Sequence, residues 1–531
     1  MMKKRLSLFL CLALLLGLFT GCVPEDTPYV PTGDALADED ADVNATIPEE
    51  KTEPQQLTLA YYADRSMNPF QCTDYTNRTL FSLIYQGLFS TNRDYRAVPI
   101  LCDRYSTDSS NQKFTIYLAE DATFSDGSPV TIDDVMASYQ AAQQSKYYEG
   151  RFLHIREVTL SEDGGITFSL RVSMEEFPLL LDIPIVKASQ VDAEHPLGTG
   201  PYILEDSLAG AQLRRNQAWW CKSPDLAVTA GSIALVEAKS TTHIRDEFEF
   251  ADVGLVCADP CSDAYADYRC DYELWDVDNG IFLFLGVNVA YSAEDTFADT
   301  VLRSALTYAI DREAIVRDIY NGFASPTTIP VSPNSPYYSA SLAAKYEYDP
   351  VRFIEVVGRA PSTEEPLELL VNKDDGFRLR TAKAIVTMLQ ECGLDIILNE
   401  QDSRGFSSKF VAGDYDLYLG QTRLSPNMDL SCFYRAYGSE MARNGTADTV
   451  LYELCKEALE NQGNFYNLHK AAADDGRVVP ILFCNYAVYA TRGLLTELKP
   501  SRDNIFYYTL GRTDADALIP IDYNVHDEGV G

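Results

Sequence analysis

Apolar residues along this chain recur with two different periods. Leu57, Leu59 and Tyr61 occupy every second position, as do Phe114, Ile116 and Leu118, and Ile166, Phe168, Leu170 and Val172. A period of two puts one set of side chains on one face of a pleated strand, so each run predicts a half-buried strand. Ile281-Phe-Leu-Phe-Leu-Gly-Val287 is continuous instead, as expected of a central strand covered on both faces. Helical spacing follows Thr131, where Val135, Met136, Tyr139 and Ala142 define an apolar face and Thr131 with Asp134 forms a capping box. Further helices are predicted over 79–87, 299–309, 312–321 (capped by Asp311, stopped by Gly322), 378–391 (stopped by Gly393) and 403–412. Strands are predicted at Leu394, Ile396 and Leu398 and over 414–419. Strand and helix in alternation argue for α/β lobes, and no repeat of 20–50 residues appears.

The amino terminus breaks this pattern. Lys3, Lys4 and Arg5 precede an apolar run from Leu6 to Phe19, shorter than a bilayer-spanning helix needs. It ends in Leu-Phe-Thr-Gly-Cys22, which resembles the lipobox of bacterial lipoprotein signal peptides, with Phe19 where Leu, Val or Ile is usual. The resemblance implies cleavage before Cys22 and a lipid anchor on it. Between 23 and 55, ten acids face Lys51 alone, and prolines replace large apolar residues. Such a segment cannot bury a core and reads as an acidic disordered tether.

Charge and chemistry narrow the function. Formal net charge is −36, with 79 acids against 43 Lys and Arg. That argues against nucleic acid, which needs a basic footprint, and mildly favours a neutral or cationic ligand. The five histidines form no ligand pair, and no nucleophile elbow, phosphate loop or dinucleotide fingerprint occurs. The chain therefore reads as a non-enzyme without cofactor or metal. Cys257, Cys261 and Cys270 cluster in a spacing that suits a local disulfide first, free thiols second and a metal last.

Five motifs in order then point to a family. Phe-Ser-Asp-Gly-Ser-Pro-Val-Thr-Ile-Asp-Asp-Val at 124–135 resembles the signature Phe-Ser-Asp-Gly-x-Pro-Leu-Thr-Ala-x-Asp-Val of family 5 extracellular solute-binding proteins. These are the receptors that feed peptide, nickel and related ABC importers. Tyr85-Gln-Gly-Leu88, Gly198-Thr-Gly-Pro-Tyr202, the 303–312 segment Arg-Ser-Ala-Leu-Thr-Tyr-Ala-Ile-Asp-Arg, and Gly413-Asp-Tyr-Asp-Leu417 resemble its other motifs. The resemblance implies an α/β, two-lobed periplasmic-binding-protein-like fold with a hinge and an extra N-terminal subdomain. Lobe I would take 56–278 and 486–515, with 88–185 as the extra subdomain. Lobe II would take 279–485, leaving 516–531 as an acidic tail.

The implied function is capture of an oligopeptide or other small solute and its delivery to an ABC permease and ATPase. The implied receptor is a monomer held by Cys22 at the outer face of the cytoplasmic membrane, periplasmic in a Gram-negative cell. Alternatives are a ligand sensor, a surface hydrolase on the same scaffold, or binding of a nickel chelate or another non-peptide solute. Tyr61, Asn68, Asn279 and Phe282 lie where relatives line the cleft. Gln421, Arg423 and Asp429 follow the 414–419 strand, where peptide-binding relatives carry a Trp that is absent here. Asp429 either holds a ligand amine or caps the next helix. Arg423 either pairs a ligand carboxylate or bridges local acids.

Overall fold

Two long antiparallel strands, Tyr272–Val287 and Val478–Thr491, form the spine of the molecule in its computed structural model. Residues 57–506 are described, apart from 208–209, 222–229, 263–264, 266, 359–363, 437–444, 496–497 and 503. Cys22, the acidic tether and the 516–531 tail lie outside them. The apolar run Ile281–Val287 and its partner Val478–Phe483 are almost wholly buried, which is why they pair at the sheet centre.

The spine carries a sheet out to both sides. On one side Leu417–Arg423 pairs antiparallel with Tyr272–Val287, then Leu367–Asn372 and Ile396–Gln401 follow in parallel. On the other, Leu255–Ala258 pairs antiparallel with Val478–Thr491. Thr58–Tyr61 and Ser232–Glu237 continue in parallel, and Gly210–Arg215 and Tyr202–Ser207 close the edge. A separate antiparallel sheet of Cys102–Thr107, Lys113–Leu118, Ile166–Leu170 and Ile155–Leu160 packs under the helix Ile132–Ala142.

Apolar packing divides at one level of the spine. Phe282 and Phe483 belong to a core built from the 282–484 segment, with Tyr95 inserted. Val277 and Val488 belong to a core built from 57–277 and 488–498, joined by Leu459. Ladder register shifts in the same place, between Asp278 and Phe282. Gly280 has φ +73°, and a Cβ there would lie 2.2 Å from Nη2 of Arg502, so no side chain fits. Asp278 accepts from Gly280 N (2.6 Å), from the Tyr95 hydroxyl (2.6 Å) and from Ser332 Oγ, tying this turn to the 282–484 core into which Tyr95 inserts.

Local expectations meet mixed outcomes. Asp134 accepts from Thr131 N at 2.8 Å and Oγ1 at 2.6 Å, completing the capping box, but Met136 faces solvent. The expected 79–87 helix is instead two short helices, Tyr75–Thr79 and Phe81–Ile84, broken at Leu80. The 299–309 helix is α-helical only over Thr300–Ala305. Beyond that, Arg312 Nη1 takes the Thr307 and Ile310 carbonyls (3.0 and 3.1 Å), and the last turn tightens to 3₁₀. Leu394 closes the preceding helix through its N–H to Leu389 O, delaying the strand to Ile396. The 414–419 strand runs instead from Leu417 to Arg423, and just before it the Asp416 carboxylate accepts from Glu368 N and Ala293 N. The disulfide first expected among Cys257, Cys261 and Cys270 is not formed. The three are not bridged to one another, and Cys261 Sγ donates to Phe323 O (3.4 Å).

Candidate functional site

Thr58–Tyr61, Ser232–Glu237 and Leu255–Ala258 run parallel, so their carboxyl ends open on one side, where α/β sheets place their ligands. Two hollows lie there, sharing one wall. Tyr75 lines both, and the Tyr486 ring from the second spine strand stacks on it at 3.9 Å.

The first hollow is about 880 Å³ including its open mouth, and Arg78, Gln86, Thr91, Tyr147, Tyr148 and Arg502 line it. Arg78 rises from the Tyr75–Thr79 helix into an aromatic cage, 3.2 Å from the Tyr147 ring centre. Its Nη1 donates to Pro69 O (3.2 Å) and Cys72 O (3.1 Å), and its Nη2 to the Tyr148 hydroxyl (3.1 Å). Among the described residues no carboxylate pairs with Arg78, and its buried Nε has no acceptor. Among the described residues lining this hollow the one carboxylate, Asp182, is held by Arg151 through two bonds of 3.1 and 2.8 Å. Nε2 of buried Gln86 and Oγ1 of buried Thr91 also lack partners among the described residues. Unmatched donors around a basic group recognise acceptors on a ligand. The acidity of the whole chain thus does not extend to this hollow.

The second hollow, about 1160 Å³ with its mouth, is lined by Tyr62, Lys239, Thr241, Asp259, Tyr265 and Tyr268 among others. Arg65 and Arg245 at its walls are already paired with Asp74 and Asp246.

The residues singled out from the sequence are scattered. Arg423 comes closest: its guanidinium lies 4.5 Å from the Tyr147 ring centre, with Nε on Asn279 O (2.9 Å). Asn279 is buried in the spine turn, its Oδ1 on Ile281 N (2.8 Å) and its Nδ2 without a partner among the described residues. Tyr61 is half-buried and lines neither hollow, whereas its neighbour Tyr62 lines the second. Asn68 is wholly buried, with its amide spent on Val191 O, Ala193 O and Phe70 N. Phe282 is core, stacked with Phe284 and Phe483, and Gln421 faces solvent on its strand.

Asp429 is buried against His154 Nε2 (2.7 Å), and its Oδ1 accepts from Ser431 N (2.8 Å), the first residue of the helix Ser431–Tyr434, whose N-cap is Leu430. Burial alone would push the Asp429 carboxyl up, but the His154 ring and the hydrogen bonds from Ser431 together hold it below the ordinary range. Tyr75, Arg78, Tyr147, Tyr486, Asp259 and Arg502 escaped sequence reading. Gln86 was in view inside Tyr85-Gln-Gly-Leu88. The 198–202 loop supports it: a Cβ on Gly198 would sit 2.1 Å from Ile84 O, and Trp219 Nε1 reaches both Thr199 O (3.1 Å) and Gln86 Oε1 (3.5 Å).

The family model for the middle region of bacterial extracellular solute-binding proteins, family 5, matches residues 96–444. The chain belongs to that family. Family 5 members are extracytoplasmic substrate-binding proteins of ABC transporters. The glutathione-binding protein GsiB of Escherichia coli is 23% identical over 312 residues, 56% of this chain and 59% of that relative's length. Among solved structures, HbpA2 of Haemophilus parasuis aligns with TM-score 0.71 at 14% identity, covering 86% of this chain and 99% of that one. CtaP of Listeria monocytogenes, an ABC transporter substrate-binding protein, aligns with TM-score 0.68 at 18% identity, covering 86% and 99%. These likenesses show the two-lobed binding-protein fold. Among the described residues, no helix is long and apolar enough to cross a membrane, and no cluster of His, Cys, Asp and Glu fits a metal.

Proposed function

We propose that this family 5 protein captures a small acid-bearing solute, an oligopeptide or a peptide-like molecule, and hands it to an ABC permease and ATPase. The observation that carries this reading is Arg78, caged by tyrosines and, among the described residues, lacking a counter-carboxylate beside unmatched Gln86 and Thr91 donors. A ligand carboxylate supplies the missing charge and acceptors. Glutathione, named for a relative, is such a molecule. Lobe I is taken as 56–278 with 486–515, the 88–185 subdomain included, and lobe II as 279–485. Ligand contacts to both lobes favour the closed state over the open one. Cys22 is the proposed lipid anchor, and the receptor acts as a monomer without bond chemistry.

Thermal-shift screening with tripeptide pools and glutathione tests the reading, followed by Arg78→Ala. Stabilisation by an acid-bearing member, lost by at least about tenfold in affinity in Arg78→Ala, is expected. No shift with any pool counts against it.

A further inference from the structure

Resemblance to peptide-binding relatives puts a ligand amine on Asp429, but that carboxylate is buried against His154 and closed to solute. Another acid stands where the sheet opens. Asp259 follows Ala258 at the carboxyl end of Leu255–Ala258 and lines the second hollow. Its Oδ1 accepts from Cys261 N (3.0 Å). Among the described residues no Lys, Arg or His pairs with it. Arg65 and Arg245 are taken by Asp74 and Asp246, and Lys239 is exposed at the rim. The charge that acts on it, Asp375, has the same sign. The adjoining wall is aromatic: Tyr268 lies 4.4 Å from the Tyr489 ring, and the Tyr265 and Tyr489 hydroxyls share a 2.6 Å bond. Such a wall with one carboxylate suits an ammonium group. Burial, with Asp375 adding to it, pushes the Asp259 carboxyl up to about 6, as expected of an acid that awaits a counter-ion.

The two hollows belong to one polarity. Tyr486, stacked on their shared wall, feels Arg423 and Arg78 as well as Asp259. We infer that Asp259 binds the amino group of a dipolar solute whose acid group lies against Arg78, the Tyr75–Tyr486 stack supporting what lies between. This rests on the proposed capture of an acid-bearing solute and adds its opposite pole.

The test is calorimetric titration of the purified chain at pH 7.5 with glutathione, tri-alanine, N-acetyl-tri-alanine and tri-alanine amide. Free tri-alanine or glutathione binds, and acetylation of tri-alanine weakens binding by at least about thirtyfold, the cost of an unpaired buried charge. In Asp259→Asn, which keeps an oxygen for Cys261 N, the free and acetylated peptides bind alike. If the acetylated peptide binds the native chain as well as the free one, while the amide binds poorly, Asp259 is not an amine site and the acid-binding reading stands. Discrimination that persists in Asp259→Asn also overturns the assignment. Failure of all four probes overturns both readings. The acetylated-peptide arm uses the native chain, so it holds even where the variant does not fold.

Discussion

His469 sits in the helix Phe465–Asp475 wholly buried, with neither ring nitrogen bonded among the described residues. Burial holds its imidazole down at about 3, whereas an unfolded histidine titrates near about 6.5. The unfolded chain therefore takes up this proton first as pH falls. Stability is full above about pH 6.5 and drains away between there and about 3. His469→Leu removes that slope and relieves an unbonded polar ring, so the urea midpoint at pH 5 rises by the equivalent of about 1–3 kcal/mol, and by less at pH 8. An unchanged pH profile would sink the idea. Asp429 makes the opposite case. Asp429→Ala strands buried His154 and costs about 3–5 kcal/mol in denaturant titration, while the remaining folded protein keeps its affinity for solute. A selective loss of affinity would restore Asp429 to the site. At this scale the capping box of Thr131 and Asp134 was readable because both partners lie within one turn. The Arg78 cage was not, since Tyr147 and Tyr148 arrive from a distant segment, and no local period marks them.

Gly280 governs an element rather than a contact. Its left-handed conformation turns the first spine strand where the two cores part, and Arg502 fills the space a side chain would need while donating to Leu424 O (2.6 Å). Gly280→Ala strains the backbone by about 1 kcal/mol or more and displaces that guanidinium from the wall of the first hollow. Lower stability together with weaker solute binding is expected by calorimetry; unaltered affinity would separate the turn from the site. Part of the strand and helix order was foreseen from the sequence, including 403–412, which matches the helix Ser403–Ala412 end to end. Misreadings cluster where a tertiary hydrogen bond overrides local preference, as Arg312 does at Thr307 and Ile310. Asn68 and Phe282 are engaged in packing for a related reason. Their types suit a cleft, but position along the chain does not reveal whether packing has already used them.

The whole molecule carries three tryptophans, Trp219, Trp220 and Trp275, all on the amino-terminal side of Gly280. Trp219 reaches the first hollow through Gln86, so solute that engages Gln86 Nε2 alters its surroundings. Saturating ligand should shift tryptophan emission, and Trp219→Phe should abolish most of the change; a full response in that variant would place the solute elsewhere. Net charge, read over the whole chain, gave no hint of a basic hollow, because the side chains that make it come from separate stretches of a strongly acidic sequence. The spine has a further consequence, for how such a chain is made. Both cores take strands from the carboxyl-terminal segment: Val478–Cys484 completes one, and Val488, Ala490, Leu494, Leu495 and Leu498 complete the other. A nascent chain that ends before Val478 can finish neither half. Completion of either core thus waits until synthesis is almost done, which suits a member of a family that works outside the cytoplasm.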